Sequence, residues 1–600
     1  MKARFSQYAM AAVFMAALSV TIPSCKKYLE VQPVSSFGPD YVFNSVVNAR
    51  TAVLGAYASM GGDNGYGIRI SMYYPYDSDD MMGQGGTPYP DNGRRDIAHF
   101  SMNSGNPELA APYNQLYQGI ERANLCIYYI PAMDLYTNGS AADQKDLRRM
   151  YGEALTLRAQ YYFELVRNWG DVSVQWQPSA FETNLFKPKT NRDSIYMHLL
   201  DDLKTAEGLV SWRTEVVADE RITQGAVRAL RARIALFAGG YSLRQDRTLK
   251  RAANYKDYYQ IAKDECAAVI ARTDQHKLNT SFQTVFKDVI DAHRTDPVGE
   301  VMFEVAMTGG SANTGDSKLG YYNGPRYSIV SGSTTTSSLG NAALTILPTY
   351  FYAFDSTDTR RDVTCAPYDN FSDNTRRARA LQAVVDGKFR RDWISSPAAL
   401  TSQAQYFGLN WPLIRFSDVL LMYAEADNEL SNGPTAAAKN AFEAVRVRAY
   451  GGNANLIGTT PATYTDFFNA IVKERQLEFG GEGIRKYDLI RWNLLAQKLT
   501  DTKAALTALA NRQAPYTNLP ATMYFKTGSA DLVWASSYYK PSPFTSTPAG
   551  YTSVAWAGTA ITTTISTYYA IGFTTGKSEL LPIPQASLDV NPVLKQDYGY

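Results

Sequence analysis

Apolar and polar residues separate onto two sides of a helix in the segment LIRFSDVLLMYAEADNEL, which begins at Leu413. The apolar residues recur at spacings of three to four positions, as in a helix with one buried face; they are Val419, Leu420, Tyr423 and Ala424. Ser417 and Asp418 predict the N-cap, and the sequence Asn-Gly-Pro at 432–434 predicts the end of the helix. The pattern therefore predicts a helix with well-marked ends.

The same period recurs along the chain and predicts a mainly α fold. Further helices are predicted at 46–60, 108–130, 146–169 and 193–210, as a hairpin within 223–272, and at about 435–450. Another is predicted within 464–483, and the pattern resumes after a glycine break at 484–495. Several form pairs with alanine on the facing sides, and such pairs of about 34 residues are typical of tetratricopeptide-type repeats. We expect a scaffold of tetratricopeptide-like helix pairs.

Three long segments lack this period. Residues 61–105 are rich in Gly, Pro, Tyr and Asp, and residues 308–345 are rich in Gly, Ser, Thr, Tyr and Asn. A third, 514–573, is predicted to be non-helical, with one or two short strands near its end. Because long irregular segments in an ordered domain are usually functional loops, the first two are candidate binding loops.

The composition is that of a globular protein with many tyrosines. Hydrophobic residues make up 45% and charged residues 19% of the chain, and there is no long acidic or basic run that would indicate a nucleic-acid partner. The 42 tyrosines outnumber the 25 phenylalanines and 8 tryptophans combined. A tyrosine has a rigid apolar face and a hydrogen-bonding tip, which suits wet binding surfaces as well as the edges of a helical core.

The N-terminus has the pattern of a lipoprotein signal peptide. Lys2 and Arg4 precede an apolar stretch at 8–22, and a short cleavage-site pattern ends at Cys25. The apolar stretch is shorter than the roughly 20 residues that span a bilayer. We therefore expect residues 1–24 to be removed, Cys25 to carry a lipid, and residues 25–600 to form the mature unit.

Patterns for metal or nucleotide chemistry are weak. Cys126, Cys266 and Cys365 are widely spaced, and Cys126 and Cys266 are predicted to be small core residues. The four histidines, His99, His198, His276 and His293, do not form a metal-binding motif. The sequence GFTTGKS at 572–578 resembles a phosphate-binding loop but has one residue too few between its glycines. We expect no cofactor and no metal.

Two groups of charged residues remain as candidate sites. Asp77, Asp79 and Asp80 could be a glycosidase pair or a calcium loop, since both need clustered carboxylates. They lack the calcium-loop pattern, however. We expect them to accept hydrogen bonds from ligand hydroxyls or to keep the loop solvated. The second group has helical spacing, which favours a structural ion-pair network over an active site; it comprises Glu474, Arg475, Glu478, Glu482, Arg485, Asp488 and Arg491.

Five stretches, taken in order, resemble the SusD/RagB family of outer-membrane lipoproteins from Bacteroidetes. They are SCKKYLEVQP, GEALTLRAQYYFELVRNWGDVSV, RFSDVLLMYAEADNEL, KERQLEFGGEGIRKYDLIRW and ELLPIPQASLDVNPVLKQDYGY. Together they extend from Cys25 to Tyr600. The resemblance implies a SusD-like helical unit with an N-terminal part at 25–275 and a RagB/SusD-type C-terminal part at 276–600.

The resemblance also implies a surface-exposed, lipid-anchored binding protein that works with a SusC-like TonB-dependent barrel in the outer membrane. It places the ligand surface on the segments 61–105 and 308–345. By composition and position, the candidate residues for stacking on sugar rings or bonding to hydroxyls are Tyr73, Tyr74, Tyr76, Asp79, Tyr89, Asn92, Arg94, Tyr321, Tyr322, Arg326 and Tyr327.

The sequence therefore predicts a non-catalytic protein that captures an oligosaccharide and delivers it to the barrel. Three alternatives remain open: the same architecture binding peptides, a surface-anchored hydrolase, and a bare repeat scaffold for protein partners. Turnover of a glycan or peptide by the purified chain would indicate the hydrolase, and dispensable loops would indicate the scaffold.

Overall fold

Helices dominate the computed structural model, which describes residues 38–85, 90–216, 220–309, 313–332, 334–395, 401 and 403–600. The α-helices are α1 (Pro39–Val42), α2 (Val46–Ala58), α3 (Arg94–Ala98), α4 (Pro107–Tyr129), α5 (Asp134–Asn138), α6 (Ala141–Trp169), α7 (Arg192–Ala206), α8 (Gln224–Ala238), α9 (Tyr255–Ile270), α10 (Pro348–Phe351), α11 (Arg360–Thr364), α12 (Phe416–Ser431), α13 (Ala436–Ala449), α14 (Tyr464–Phe479), α15 (Arg485–Arg491), α16 (Leu495–Ala510), α17 (Ile561–Thr567) and α18 (Gln585–Val590). Two π-helical turns lie at Arg69–Tyr73 and Thr284–Ile290.

The strands are short and form small sheets. They are β1 (Met81–Met82), β2 (Ser242–Leu243), β3 (Leu249–Lys250), β4 (Val301–Val305), β5 (Tyr327–Ser331), β6 (Thr334–Leu339), β7 (Thr345–Ile346), β8 (Cys365–Ala366), β9 (Tyr368–Phe371), β10 (Arg376–Ala378), β11 (Val385–Asp386), β12 (Trp411–Arg415), β13 (Thr522–Lys526) and β14 (Tyr551–Ala555). Two four-stranded sheets have the orders β1-β7-β11-β8 and β10-β9-β5-β6. The first joins the two predicted binding segments, because β1 pairs with β7.

The long helices pack in sequence as a stack. Helix α4 packs on α2 and α6, α6 on α7, α7 on α8, α8 on α9, and α9 on α12, which also packs on α13 and α14. This arrangement confirms the mainly α fold. Glycines make the close contacts possible: a Cβ atom at Gly119 of α4 would lie 2.5 Å from the ring of Tyr161, and one at Gly152 of α6 would lie 2.8 Å from Val210.

The start of α12 differs from the prediction. The helix begins at Phe416 after the extended residue Arg415, so Ser417 and Asp418 lie in the first turn and neither is the N-cap. Both are fully buried, and Asp418 forms ion pairs with Arg233 and Arg475. The Asp418 carboxylate therefore forms ion pairs with residues distant in sequence, and it does not cap the helix as the local pattern predicts. The predicted end is confirmed, since Asn432 has the left-handed conformation that stops the helix.

The predicted ion-pair network of the 474–491 region is confirmed. Each charged residue of the predicted group takes part in a buried ion pair. The pairs are Glu474–Arg360, Arg475–Asp488, Glu478–Arg448, Glu482–Arg415, Arg485–Asp79 and Arg491–Glu425. These pairs join helices α14 and α15 to other parts of the chain. The charges therefore hold the core together.

The segment 514–573 is partly as predicted. Strands β13 and β14 form an antiparallel pair, so the segment contains two short strands, but β13 lies near its start and not near its end as predicted. The prediction of a wholly non-helical segment is wrong, because α17 lies within it. Cys126 and Cys266 are buried core residues as predicted, and burial raises the pKa of Cys126 to about 12. Within the residues described, we find no helix with the length and apolar character needed to cross a bilayer.

Candidate ligand-binding surface

The segment 61–105 is largely built into the core, contrary to the expectation of an exposed loop. Its chain passes through the π-helical turn, β1 and α3, and most side chains from Gly61 to Met82 are buried. Tyr74 and Tyr76 are only 1% and 2% exposed. The Tyr74 hydroxyl donates a hydrogen bond to the Glu108 carbonyl at 2.8 Å. The prediction that these two rings stack on a ligand is therefore wrong in this structure, since neither presents a free face.

The acidic residues of this segment anchor it. Asp79, 6% exposed, pairs with Arg485 through distances of 2.6 and 2.8 Å. Burial opposes the charged form of Asp79, but the Arg485 guanidinium outweighs burial and lowers its pKa. The prediction of Asp79 as a hydroxyl partner is also wrong, because both oxygens face Arg485. Asp77 accepts from the backbone amides of Gly83 and Ala570 at 3.0 and 2.7 Å.

Four predicted residues from the two segments meet in space. The rings of Tyr73 and Tyr322 lie edge to face with centroids 6.3 Å apart, and Tyr321 packs on Tyr322 at 5.4 Å. The Arg94 guanidinium lies 5.8 Å from the Tyr73 centroid and 5.6 Å from that of Tyr322. Tyr73 is 7% exposed, whereas Tyr321 and Tyr322 are partly exposed. Tyr321 and Tyr322 are therefore the rings that a ligand could reach.

Hydrogen bonds join the same two segments. Arg94 donates to the Gln84 side chain, and Gln84 donates in turn to the Asn341 side-chain oxygen at 3.4 Å. Arg326 donates to the Asn341 carbonyl at 2.9 Å, and the Asn341 amide donates to the Tyr321 carbonyl at 2.7 Å. We call this group the Tyr–Arg surface; it consists of Tyr73, Gln84, Arg94, Tyr321, Tyr322, Arg326 and Asn341. Four of these residues line a small concavity together with Met72, Ala98, Ala343 and Leu344; they are Tyr73, Gln84, Arg94 and Tyr322.

The other predicted residues are not part of this group. Asn92 is exposed and has a left-handed backbone, and its amide bonds to the Asp96 carboxylate. Tyr327 is 8% exposed at the start of β5, so its ring is not available for stacking and that part of the prediction is wrong. Tyr89 and Cys25 lie outside the described residues.

Sequence reasoning missed two residues of the Tyr–Arg surface and one beside it. Gln84 and Asn341 lie inside the predicted segments, but each follows a glycine and neither is next to a tyrosine in sequence, so no local signal identified them. Tyr568 comes from the third segment and lies beside Gly85, where an added Cβ would be 3.3 Å from the ring. Its ring centroid is 5.9 Å from that of His99. No local pattern connects Tyr568 with residues almost five hundred positions earlier.

A wider concavity of about 490 Å³ lies elsewhere, between α4, residues 173–187 and α18. Its polar groups are largely engaged within the protein. The Tyr117 hydroxyl donates to the Ser173 carbonyl at 2.7 Å, and Asn591 donates to the Lys187 carbonyl at 3.0 Å. The polar groups of the Tyr–Arg surface are also engaged, but this surface adds two partly exposed tyrosine rings and two guanidinium groups, which makes it the better candidate for recognising a polar ligand.

Comparison with known proteins places the chain in a family. A model described as the SusD family matches residues 369–600, and a model described as starch-binding associating with outer membrane matches residues 27–236. SusD-like protein P2 of Formosa agariphila is 23% identical over 499 residues, covering 80% of this chain and 89% of that protein.

Solved structures agree with this assignment. A SusD homolog from Bacteroides thetaiotaomicron superposes with a TM-score of 0.73 at 22% identity, covering 93% of this chain and 98% of the homolog. A laminarin binding SusD-like protein superposes with a TM-score of 0.64 at 21% identity, covering 93% of this chain and 100% of that protein. The chain belongs to the SusD/RagB family.

Proposed function

We propose that the protein captures an oligosaccharide at the cell surface through the Tyr–Arg surface and does not cleave it. The observation that carries the proposal is the meeting of Tyr73, Arg94 and Tyr322 from segments more than two hundred residues apart. Apolar ring faces beside amide and guanidinium donors suit a sugar, which has both C–H faces and hydroxyls. The laminarin-binding protein of the same fold supports a carbohydrate over a peptide.

We further propose that the captured glycan passes to a SusC-like TonB-dependent barrel and that a lipid on Cys25 holds the protein at the outer membrane. The family membership and the N-terminal sequence pattern support both statements. A single acyl chain binds a membrane weakly, so stable anchoring requires more than one chain at this cysteine.

A glycan array followed by calorimetry tests ligand binding. The full chain should bind at least one oligosaccharide, and the double variant Tyr321→Ala/Tyr322→Ala should bind it at least about tenfold more weakly because two stacking faces are lost. The matched control is Tyr128→Ala, which removes a 49% exposed tyrosine from α4. Equal loss in the control, binding of peptides only, or release of shorter sugars from the glycan would each refute the proposal.

The partner and the anchor have separate tests. Purification of the tagged protein from native membranes should recover a TonB-dependent barrel, and metabolic labelling with a fatty acid should label the wild type but not Cys25→Ala. A wild-type protein that carries no lipid would refute the anchor. Recovery without any barrel would refute the partner while leaving glycan binding intact.

A further inference from the structure

The Tyr–Arg surface carries two arginines whose guanidinium groups bond to neutral partners. Arg94 bonds to the Gln84 side chain and faces two tyrosine rings, and Arg326 bonds to the Asn341 carbonyl. Across the described ranges, neither guanidinium lies within 4.0 Å of a carboxylate oxygen. Both side chains are partly exposed at the surface.

Carboxylates near these arginines are occupied by other groups. Asp369 binds Arg379 through both oxygens at 2.7 and 2.9 Å, and it meets Arg326 only through the backbone amide. Asp91 pairs with Arg95, and Asp96 accepts from the backbone amides of residues 91 and 92. Asp369 acts electrostatically on Arg326 and favours its charged form, but its oxygens bind Arg379. In the described part of the chain, Arg94 and Arg326 therefore form no ion pair of their own.

Two buried arginines of the chain show what a guanidinium needs when it leaves water. Arg158 and Arg192 are only 4% and 2% exposed, and each lies 2.8 Å from an aspartate oxygen, on Asp202 and Asp171. Burying an uncompensated charge is costly, so a guanidinium removed from water normally needs such a partner. Arg94 and Arg326 are partly exposed, and a ligand that covers them would have to bring such a partner with it.

The local electrostatics agree. Burial lowers the pKa of Arg326, and the neighbouring Arg379 lowers it further. Burial also lowers the pKa of Arg391 to about 10. Arg391 is close to Arg326, since an added Cβ at Gly340 would be 3.6 Å from the Arg391 Nη1 atom and 3.7 Å from the Arg326 Cα atom. A bound anion would offset the repulsion between Arg326 and Arg379.

We propose that the natural ligand is an anionic glycan, whose carboxylate or sulfate groups bind Arg94 and Arg326 while its sugar rings contact Tyr321 and Tyr322. Guanidinium groups bind carboxylate and sulfate oxygens through paired, charge-assisted hydrogen bonds, which explains arginine at these positions. This inference rests on the proposed glycan-binding function and adds the charge class of the ligand.

The test uses an array of neutral and acidic oligosaccharides with the full chain. The neutral probes are oligosaccharides of laminarin, starch and pectic galactan, and the acidic probes are those of polygalacturonate, alginate and carrageenan. Each acidic ligand that binds is then compared with its carboxyl-reduced or desulfated form by calorimetry at 50 mM and 500 mM NaCl.

The variants are Arg94→Gln and Arg326→Gln, with Arg148→Gln as the matched control. Arg148 makes the same kinds of contact as Arg94 on a different helix, at a more exposed position: it faces the Tyr136 ring at 6.0 Å and donates to the Gln144 side chain at 3.3 Å. We expect each test variant to weaken binding of the acidic ligand about tenfold, the control to leave it unchanged, and high salt to weaken it.

The outcomes separate the two proposals. The inference is supported if the protein binds acidic probes selectively and if this binding is lost both when the acidic group is removed and in the two variants. Binding of neutral probes only, or equal affinity for the acidic ligand and its neutral form, overturns the inference and leaves glycan capture standing. Binding of no glycan by the folded wild type overturns both.

Discussion

Glu478 is the buried centre of the ion-pair network, so we expect Glu478→Gln to be strongly destabilising. Its carboxylate is fully buried and lies 2.5 Å from Arg448, 2.9 Å from Arg415 and 3.1 Å from Arg360. Glutamine keeps the shape but removes the charge and turns an NH₂ group toward guanidinium donors. Breaking a buried ion pair by removing one partner costs about 3–5 kcal/mol, and here three cations lose one shared anion.

The control for this variant is Glu215→Gln. Glu215 lies 3.0 Å from Lys145, and the lysine and glutamate side chains are 68% and 50% exposed. Such a surface pair contributes under about 1 kcal/mol. The assay is urea unfolding followed by tryptophan fluorescence and circular dichroism at pH 7. A loss for Glu478→Gln no larger than that for Glu215→Gln would refute the reasoning.

The pH dependence gives a second check on Glu478. Burial opposes its charged form, but Arg448, Arg415 and Arg360 together lower its pKa well below the usual range. A carboxyl with a depressed folded-state pKa stabilises the protein above its unfolded pKa of about 4.3, and this contribution is lost as the pH falls further. The difference in unfolding free energy between wild type and Glu478→Gln should therefore shrink below about pH 4.3. A difference that stays constant down to pH 3 would contradict this.

Three further predictions concern single side chains. Gly119→Ala should lower the free energy of unfolding by roughly 1–3 kcal/mol, because the added methyl group would meet Tyr161. Gly55→Ala should raise it by about 0.5–1 kcal/mol, because the space around Gly55 is open. Equal effects of the two variants in urea unfolding would contradict this. Burial raises the pKa of Asp80 to about 6, so the free energy of unfolding that Asp80 contributes should fall as the pH rises from about 4 to above 6. Asp80→Asn should remove that fall in urea unfolding measured over about pH 4–8. Tyr74→Phe should cost about 1 kcal/mol through its lost hydrogen bond and leave glycan affinity unchanged by calorimetry; a changed affinity would place Tyr74 at the ligand.

The helices were predictable because their signal is local. An apolar residue every three or four positions is present in the sequence itself, and the predicted and observed helices agree to within a few residues over most of the stack. The first turn of α12 was not predictable in the same way. Ser417 and Asp418 have the residue types of an N-cap, but Arg233 and Arg475, distant in sequence, bind the aspartate.

The candidate surface was predictable only in outline. Composition identified the two segments, and the structure joins them through Arg94 and Tyr322. Composition did not distinguish Tyr74 and Tyr76, which lie in the core, from Tyr321, which is partly exposed. A tyrosine satisfies its hydroxyl equally well in either place, so residue type alone does not determine burial.

In the segment 61–105, the residues deep in the protein anchor the segment, and those near the surface are the candidates for contacting a ligand. At its base, Asp79 is held by Arg485, and Asp77 is held by backbone amides from residues 83 and 570. At its outer edge, Arg94 takes part in contacts with neutral groups and ring faces. A fixed base allows the outer residues to meet a ligand with little loss of conformational freedom, which favours affinity. Under the proposed function, the buried base of this segment carries its stability and the outer edge carries its specificity, so a substitution at Arg94 should alter binding more than folding.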